Sequence, residues 1–268
     1  RLKASKQNVT GVSEMAEQAN RVMSLGEWEE KWQKGTTGFH QSHVHRHVHL
    51  PHFCPTLKHQ YLYGTILRML ESNLEKVVGE RQQVRFFFPL CGKAVDMKWL
   101  ADMGHIIVGV EICEKGIKQF FEEQGLQYTE EPVEAIPGTK VFKSSDRRIS
   151  IYQCDLYKFS SAIEGQFGGI WDRGSLVAIN PCDRQRYATL MMSLMEKNCR
   201  YLLDTLEYNP ELHRGPPFLV PEEVLKKIYG ESCEIELVQT GDAFEERHKE
   251  WGIDSLLEKV YLLTLKAK

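Results

Sequence analysis

Phe86-Phe87-Phe88-Pro89-Leu90-Cys91-Gly92-Lys93, followed after a helical interval by Val108-Gly109-Val110-Glu111, is the stretch whose reading decides the fold. An apolar run breaks at Pro and Gly, passes into a helical pattern (Ala94, Met97, Leu100, Ala101), and returns as a second apolar run ending in a carboxylate. This pattern predicts one strand–helix–strand unit. In such a unit the first turn brings backbone N–H groups and a small residue, here Gly92, close to a ligand. An acid at the tip of the next strand, Glu111, is placed to accept hydrogen bonds from both ribose hydroxyls. The turn lacks the G-x-G-x-x-G spacing that cradles a pyrophosphate, so a nucleoside without phosphates is expected, and S-adenosylmethionine is one. The plain alternative is an ordinary buried strand and tight turn, with Glu111 a surface acid.

Working outward, the chain continues to alternate. Residues 63–78 carry Ile66, Leu67, Met69, Leu70, Leu74 and Val77 at helical spacing with Gly79 as the stop, a helix expected to pack directly before the first strand. A helix through Ile117, Phe120 and Phe121 closes at Gly125, and 132–145 reads as a connection with a short strand at 140–142. Ile149 to Leu156 alternates toward a core strand ending in Asp155, and Gly168 to Gly174 gives a strand ending in Asp172-Arg173. A helix over 181–198, a strand over 201–205, a Pro-started and Gly-stopped helix over 221–230 and strands at 233–238 and 259–265 complete the series. Strands alternating with helices predict an α/β fold, a mostly parallel sheet with helices on both faces, its closely spaced final pair forming an antiparallel edge.

In an open sheet of this kind the ligand lies beyond the carboxyl ends of the strands. Asp155 and Leu156 are therefore expected at adenine, Asp155 accepting from the exocyclic amine, although an Asp in a turn also serves as a helix N-cap. Arg173 falls where substrate should meet cofactor, or is only a structural ion-pair partner of its neighbours. Upstream, Leu25, Trp28 and Trp32 share one face of a short helix, followed by a loop with Phe39. The two tryptophans are either a packed cap or a lid whose aromatic faces suit adenine and a cationic sulfonium.

Composition bounds the rest. The 268 residues, 42% hydrophobic and 26% charged, fit one α/β domain with extensions. A net charge of −3 and a pI near 6.4 argue against nucleic acid or a membrane surface as partner. Seven scattered cysteines form neither a disulfide framework nor a paired zinc pattern, so a cytoplasmic setting is expected. No apolar run is long enough to span a bilayer. Residues 1–23 read as a flexible N-terminus and 24–41 as the lid segment. His43, His45, His47, His49, His52 and His59 crowd 42–60, read as a disordered insertion rather than a metal site because no Asp or Glu accompanies them. Residues 61–268 read as the α/β domain that carries the expected nucleoside site.

Taken together, Trp28-x3-Trp32 with Gly35-x3-Phe39-His40-Gln41, Phe87 to Lys93, Gly109-Val110-Glu111, Ile170 to Gly174, Pro216-Pro217-Phe218 and Phe244-Glu245-Glu246-Arg247-His248 resemble the thiopurine S-methyltransferases, vertebrate members in particular. The similarity spans 24–41 and 84–266, and the histidine-rich stretch is its main departure. The resemblance implies a Rossmann-like class I S-adenosylmethionine-dependent methyltransferase with a seven-stranded sheet and antiparallel last strand, a cytoplasmic monomer working without metal. It implies a cofactor site of Trp28, Trp32, Phe39, Leu90, Gly92, Glu111, Asp155, Leu156 and Arg173, with Phe39, Arg173 and Arg247 lining the acceptor side. The best-known member carries Ser at the Asp155 position, which shifts the expected contact there toward the backbone. Arg247 otherwise sits in a charged run typical of a solvated loop. The implied activity is methyl transfer to the sulfur of a small aromatic or heterocyclic thiol, 6-mercaptopurine for example, with no obligatory catalytic residue. Two alternatives stay open: another soft acceptor (an aliphatic thiol, selenium or tellurium species), or cofactor binding without catalysis.

Overall fold

In the computed structural model, which describes residues 23–35 and 64–267, nine strands form one sheet in the order β3-β4-β5-β2-β1-β6-β7-β9-β8. These are β1 (Arg85–Phe88), β2 (Ile106–Glu111), β3 (Tyr128–Pro132), β4 (Lys140–Ser144), β5 (Ile149–Gln153), β6 (Phe167–Asp172), β7 (Met195–Glu207), β8 (Cys233–Asp242) and β9 (Leu257–Leu265). Seven helices accompany them: α1 (Leu25–Lys34), α2 (Gly64–Val78), α3 (Asp96–Asp102), α4 (Glu114–Glu123), α5 (Ser161–Glu164), α6 (Arg184–Leu194) and α7 (Glu222–Tyr229).

The run of phenylalanines becomes a central strand because both faces of the sheet are covered. Phe87 points into one core with α6 and α7 residues such as Tyr187 and Leu225. Phe86 and Phe88 point into the other with Leu70, Met97 and Phe120 of α2, α3 and α4. All three rings are essentially inaccessible, the period-2 partition of a doubly covered strand. β5, β2, β1, β6 and β7 run parallel, so the ends of β2, β5 and β6 open on one side of the sheet. β9 runs antiparallel to both β7 and β8.

Two expectations need correction. The sheet has nine strands, not seven, because 128–144 folds as an antiparallel hairpin, β3–β4, against β5. β3 carries no apolar alternation; it is held by pairing and by the ion pairs Lys143–Glu131 and Lys140–Glu130, a tertiary rather than local cause. The helix expected over 181–198 stops at Leu194, where Met195 turns extended and opens a 13-residue strand that pairs with β6 and β9. The final pair forms the expected antiparallel edge, with β8 outermost and β9 inserted between it and β7. Phe39 and the 42–60 segment lie outside the described residues. None of the helices is long and apolar enough to cross a membrane among the described residues.

Candidate functional site: a nucleoside cavity at the strand tips

The turn after β1 is held in an unusual backbone. Leu90 adopts φ 43° and Gly92 φ 48°, and a non-glycine residue in the left-handed region is strain of the kind that clusters at ligand sites. Tertiary bonds enforce it. Cys91 N–H donates to Val110 O at 2.9 Å, and Ser175 Oγ donates to Pro89 O at 2.6 Å. Gly109 lets the turn close on β2, since a Cβ there would sit 2.7 Å from Cys91 Sγ.

Glu111, at the end of β2, is 5% exposed. Its Oε2 accepts Gly92 N–H at 3.0 Å and its Oε1 accepts Cys113 N–H at 2.9 Å. Each oxygen keeps a second lone pair for a ligand hydroxyl. Burial raises its pKa, and the backbone donors, Cys113 first, pull it back.

Asp172 ends β6 in a buried polar knot. Its Oδ1 accepts Leu176 N–H at 3.0 Å, while Oδ2 accepts Tyr187 and Tyr201 hydroxyls, each at 2.6 Å. Burial raises its pKa against those donors. The knot fixes the Arg173-Gly174 turn. Arg173 lies 3.8 Å from Asp204 and 3.7 Å from Glu258. Burial, and then Glu258, push Asp204 well above the usual carboxylate range; favouring neutral Asp204 leaves more of the Arg173 charge uncompensated.

The wall opposite is α1. Ser24 and Glu27 form a capping box, and Gly35 ends the helix at φ 67°. Trp32 is buried against Gly116 of α4, where a Cβ would come within 3.0 Å of the indole. At the other end Met23 N–H donates to Asn180 Oδ1 at 3.0 Å, and Asn180 Nδ2 reaches Met23 O at 3.4 Å.

These elements enclose a cavity of about 420 Å³, within the roughly 300–1,000 Å³ of small-molecule sites. Trp28, Trp32, Leu90, Glu111, Asp155, Leu156 and Arg173 all line it; Gly92 stands behind, bonded to Glu111. Asp155 is in addition an N-cap, its Oδ1 accepting Tyr157 N–H at 3.0 Å, the capping alternative for that residue. Arg247 does not line the cavity. It pairs with Glu245 at 2.8 Å on an exposed turn, in the loop between β8 and β9 at the same end of the sheet. Asp96, Trp171 and Asn180 also line the cavity and were not singled out from the sequence; Trp171 lies inside the quoted Ile-Trp-Asp-Arg-Gly run, whereas the Asn180 contact is purely tertiary.

Burial pushes the Cys154 thiol up to about 12 and raises Cys91 well above its ordinary value, so neither thiol in the wall is a ready nucleophile. Among the described residues no group of three or more His, Cys, Asp or Glu is placed to hold a metal. The donor set fits an adenosyl ligand: an acid with open lone pairs at the β2 tip, apolar and aromatic walls, and a cation beyond them.

This fold, with its cavity at the strand tips, is the fold of the class I S-adenosylmethionine-dependent methyltransferases. The 1,6-didemethyltoxoflavin-N1-methyltransferase of Burkholderia thailandensis, solved with S-adenosylhomocysteine, matches with a TM-score of 0.52 over 97% of this chain and 93% of that one, at 13% identity. TehB from Haemophilus influenzae matches with a TM-score of 0.53 over 78% of this chain and 65% of its own, also at 13% identity. The chain belongs to the thiopurine S-methyltransferase family, whose profile covers residues 63–266. It is 61% identical to the probable thiopurine S-methyltransferase of Danio rerio over 95% of this chain and 100% of that one. It is 49% identical to the thiopurine S-methyltransferase of Canis lupus familiaris over 93% of each.

Proposed function

We propose that this protein transfers the methyl group of S-adenosylmethionine to the sulfur of aromatic and heterocyclic thiols, thiopurines among them, with the residues of one cavity dividing the work. The observation that carries the reading is the convergence of Glu111, Leu90, Trp28, Asp155, Leu156 and Arg173 on that cavity in a chain of this family. When bound, the cofactor supplies an electrophilic methyl on a sulfonium.

Glu111 holds the ribose through its free lone pairs, and the Asp155-Leu156 segment meets the adenine edge. Trp28 offers an aromatic face. Arg173 draws an anionic thiol toward the cavity and lowers its pKa. Arg247, in the loop at the same end of the sheet, extends that positive field toward the acceptor, and Phe39 contributes from the lid segment 24–41. A heterocyclic thiol arrives largely as the thiolate, so no general base is required. The chain's contribution is alignment of the reacting atoms at about 3–3.5 Å and exclusion of water from a step in which opposite charges cancel. The protein works as a cytoplasmic monomer; the free cysteines among the described residues support the reducing compartment.

The test is methyl transfer from labelled S-adenosylmethionine to a panel of aromatic, heterocyclic and aliphatic thiols, with size-exclusion light scattering alongside. Turnover restricted to aromatic and heterocyclic thiols is expected. Cofactor binding with no transfer to any thiol would reject the proposal.

A further inference from the structure

Beyond the adenosyl end, the cavity wall between the β1 turn and β6 holds polar atoms that the protein itself leaves open. Asp96 is 3% exposed and lines the cavity, yet its Oδ1 has no hydrogen-bond partner. Trp171 Nε1 and Arg173 Nε likewise lack hydrogen-bond partners, Arg173 Nε having only the longer ion-pair contact to Asp204 at 3.8 Å. Burial raises the Asp96 pKa, and the Arg173 charge and the nearby Trp171 indole pull it back only in part, with no hydrogen bond formed between indole and carboxyl; a cationic partner would favour the charged form. Helix capping does not account for Asp96. The N-cap of α3 is Val95, and no side chain caps that helix. A buried carboxyl oxygen kept without a hydrogen bond is costly unless a ligand supplies one.

The cofactor's tail carries the matching groups. Its amino-acid moiety is a zwitterion, one α-carboxylate and one α-ammonium, and this wall offers one guanidinium and one open carboxylate oxygen. We infer that Asp96 accepts a hydrogen bond from the α-ammonium of the cofactor's amino-acid tail while Arg173 faces its carboxylate, a two-charge clamp that selects a zwitterionic tail. Resting on the cofactor site described above, the inference gives Asp96 a positioning role: the tail held at one end and the ribose at Glu111 fix the sulfonium between them.

Calorimetric titration of the full chain separates the two readings. The probes are S-adenosylhomocysteine, its desamino analogue, and 5′-methylthioadenosine, which lacks the tail. Asp96→Asn is expected to weaken S-adenosylhomocysteine about 10- to 100-fold, the range for a hydrogen bond to a charged group, and to leave 5′-methylthioadenosine within about twofold. Unaltered protein should lose a similar factor on the desamino analogue, an arm independent of how the variant folds. Equal losses on both natural probes would assign Asp96 a structural role and overturn the inference, as would unchanged S-adenosylhomocysteine affinity or full affinity for the desamino analogue. Failure of the unaltered protein to bind either natural probe would instead overturn the cofactor site itself.

Discussion

Glu111→Gln isolates the charge that the ribose is proposed to meet. In the folded chain the two carboxylate oxygens each accept a backbone N–H, from Gly92 at 3.0 Å and Cys113 at 2.9 Å. A glutamine has one acceptor oxygen, so its NH2 must face one of those N–H groups, and a buried donor is orphaned at about 1–3 kcal/mol. An opposing effect reduces this. Burial already disfavours the charged carboxylate, and a neutral amide escapes that penalty, so the net loss belongs at the lower end, about 1 kcal/mol. For a domain of this size that is a fall of about 2–4 °C in Tm. Binding has no such compensation: replacing a charged acceptor for the ribose hydroxyls removes about 2–3 kcal/mol, a factor of roughly 30–150 in Kd. Calorimetry with S-adenosylhomocysteine and a thermal melt without ligand measure both numbers on one preparation. If the variant binds within about threefold of the parent while folding normally, Glu111 is not the ribose acceptor and the reasoning fails.

Gly116→Ala places a methyl 3.0 Å from the Trp32 ring, so α1 must shift. Expected are several-fold weaker S-adenosylhomocysteine binding and altered tryptophan fluorescence, with unchanged urea unfolding of the sheet; unaltered fluorescence counts against the contact. Asp172→Asn removes a charged acceptor from three donors and should cost about 2–3 kcal/mol in urea denaturation. Arg247→Ala is expected to raise the apparent KM for 6-mercaptopurine several-fold with little change in cofactor affinity, and unchanged kinetics would discard its acceptor role. Glu131 is held at about 2 by Lys143 and Arg147. Because the folded value lies below the unfolded one, its contribution is present above the ordinary Glu value and lost as pH falls toward the folded one. Glu131→Gln should therefore flatten the acid side of the stability profile measured by urea titration, modestly for an exposed group.

The central strands and the Glu111 tip were legible because their cause is local. Three phenylalanines in succession bounded by Pro and Gly leave little but a doubly buried strand and a turn, and the acid ending β2 has nowhere else to point. β3 was hidden for the converse reason. Tyr128 to Pro132 has no amphipathic period, and only its pairing with β4 makes it a strand. Met195 likewise continues an apolar helical pattern through the residue at which the chain turns extended. In the site, Trp28, Leu90 and Arg173 could be read from motifs. Asp96 could not: an acid at the start of a helix ordinarily signals a surface first turn, and only burial shows otherwise. The Asn180 clasp on Met23 joins positions 157 residues apart and leaves no trace in either segment.

The hairpin that lengthens the sheet also decides how the molecule meets its copies. A parallel sheet ending at β5 would present a bare row of backbone donors and acceptors, an invitation to strand addition. β3 takes that outer position instead, with Glu130 and Glu131 engaged to lysines and Pro132 at its end. At the far rim, β8 exposes Glu234 and Glu236. Two copies approaching by these far rims would set Glu234 and Glu236 against their own counterparts, a like-charge arrangement that disfavours β8-to-β8 pairing even though Leu237 is exposed on the same strand.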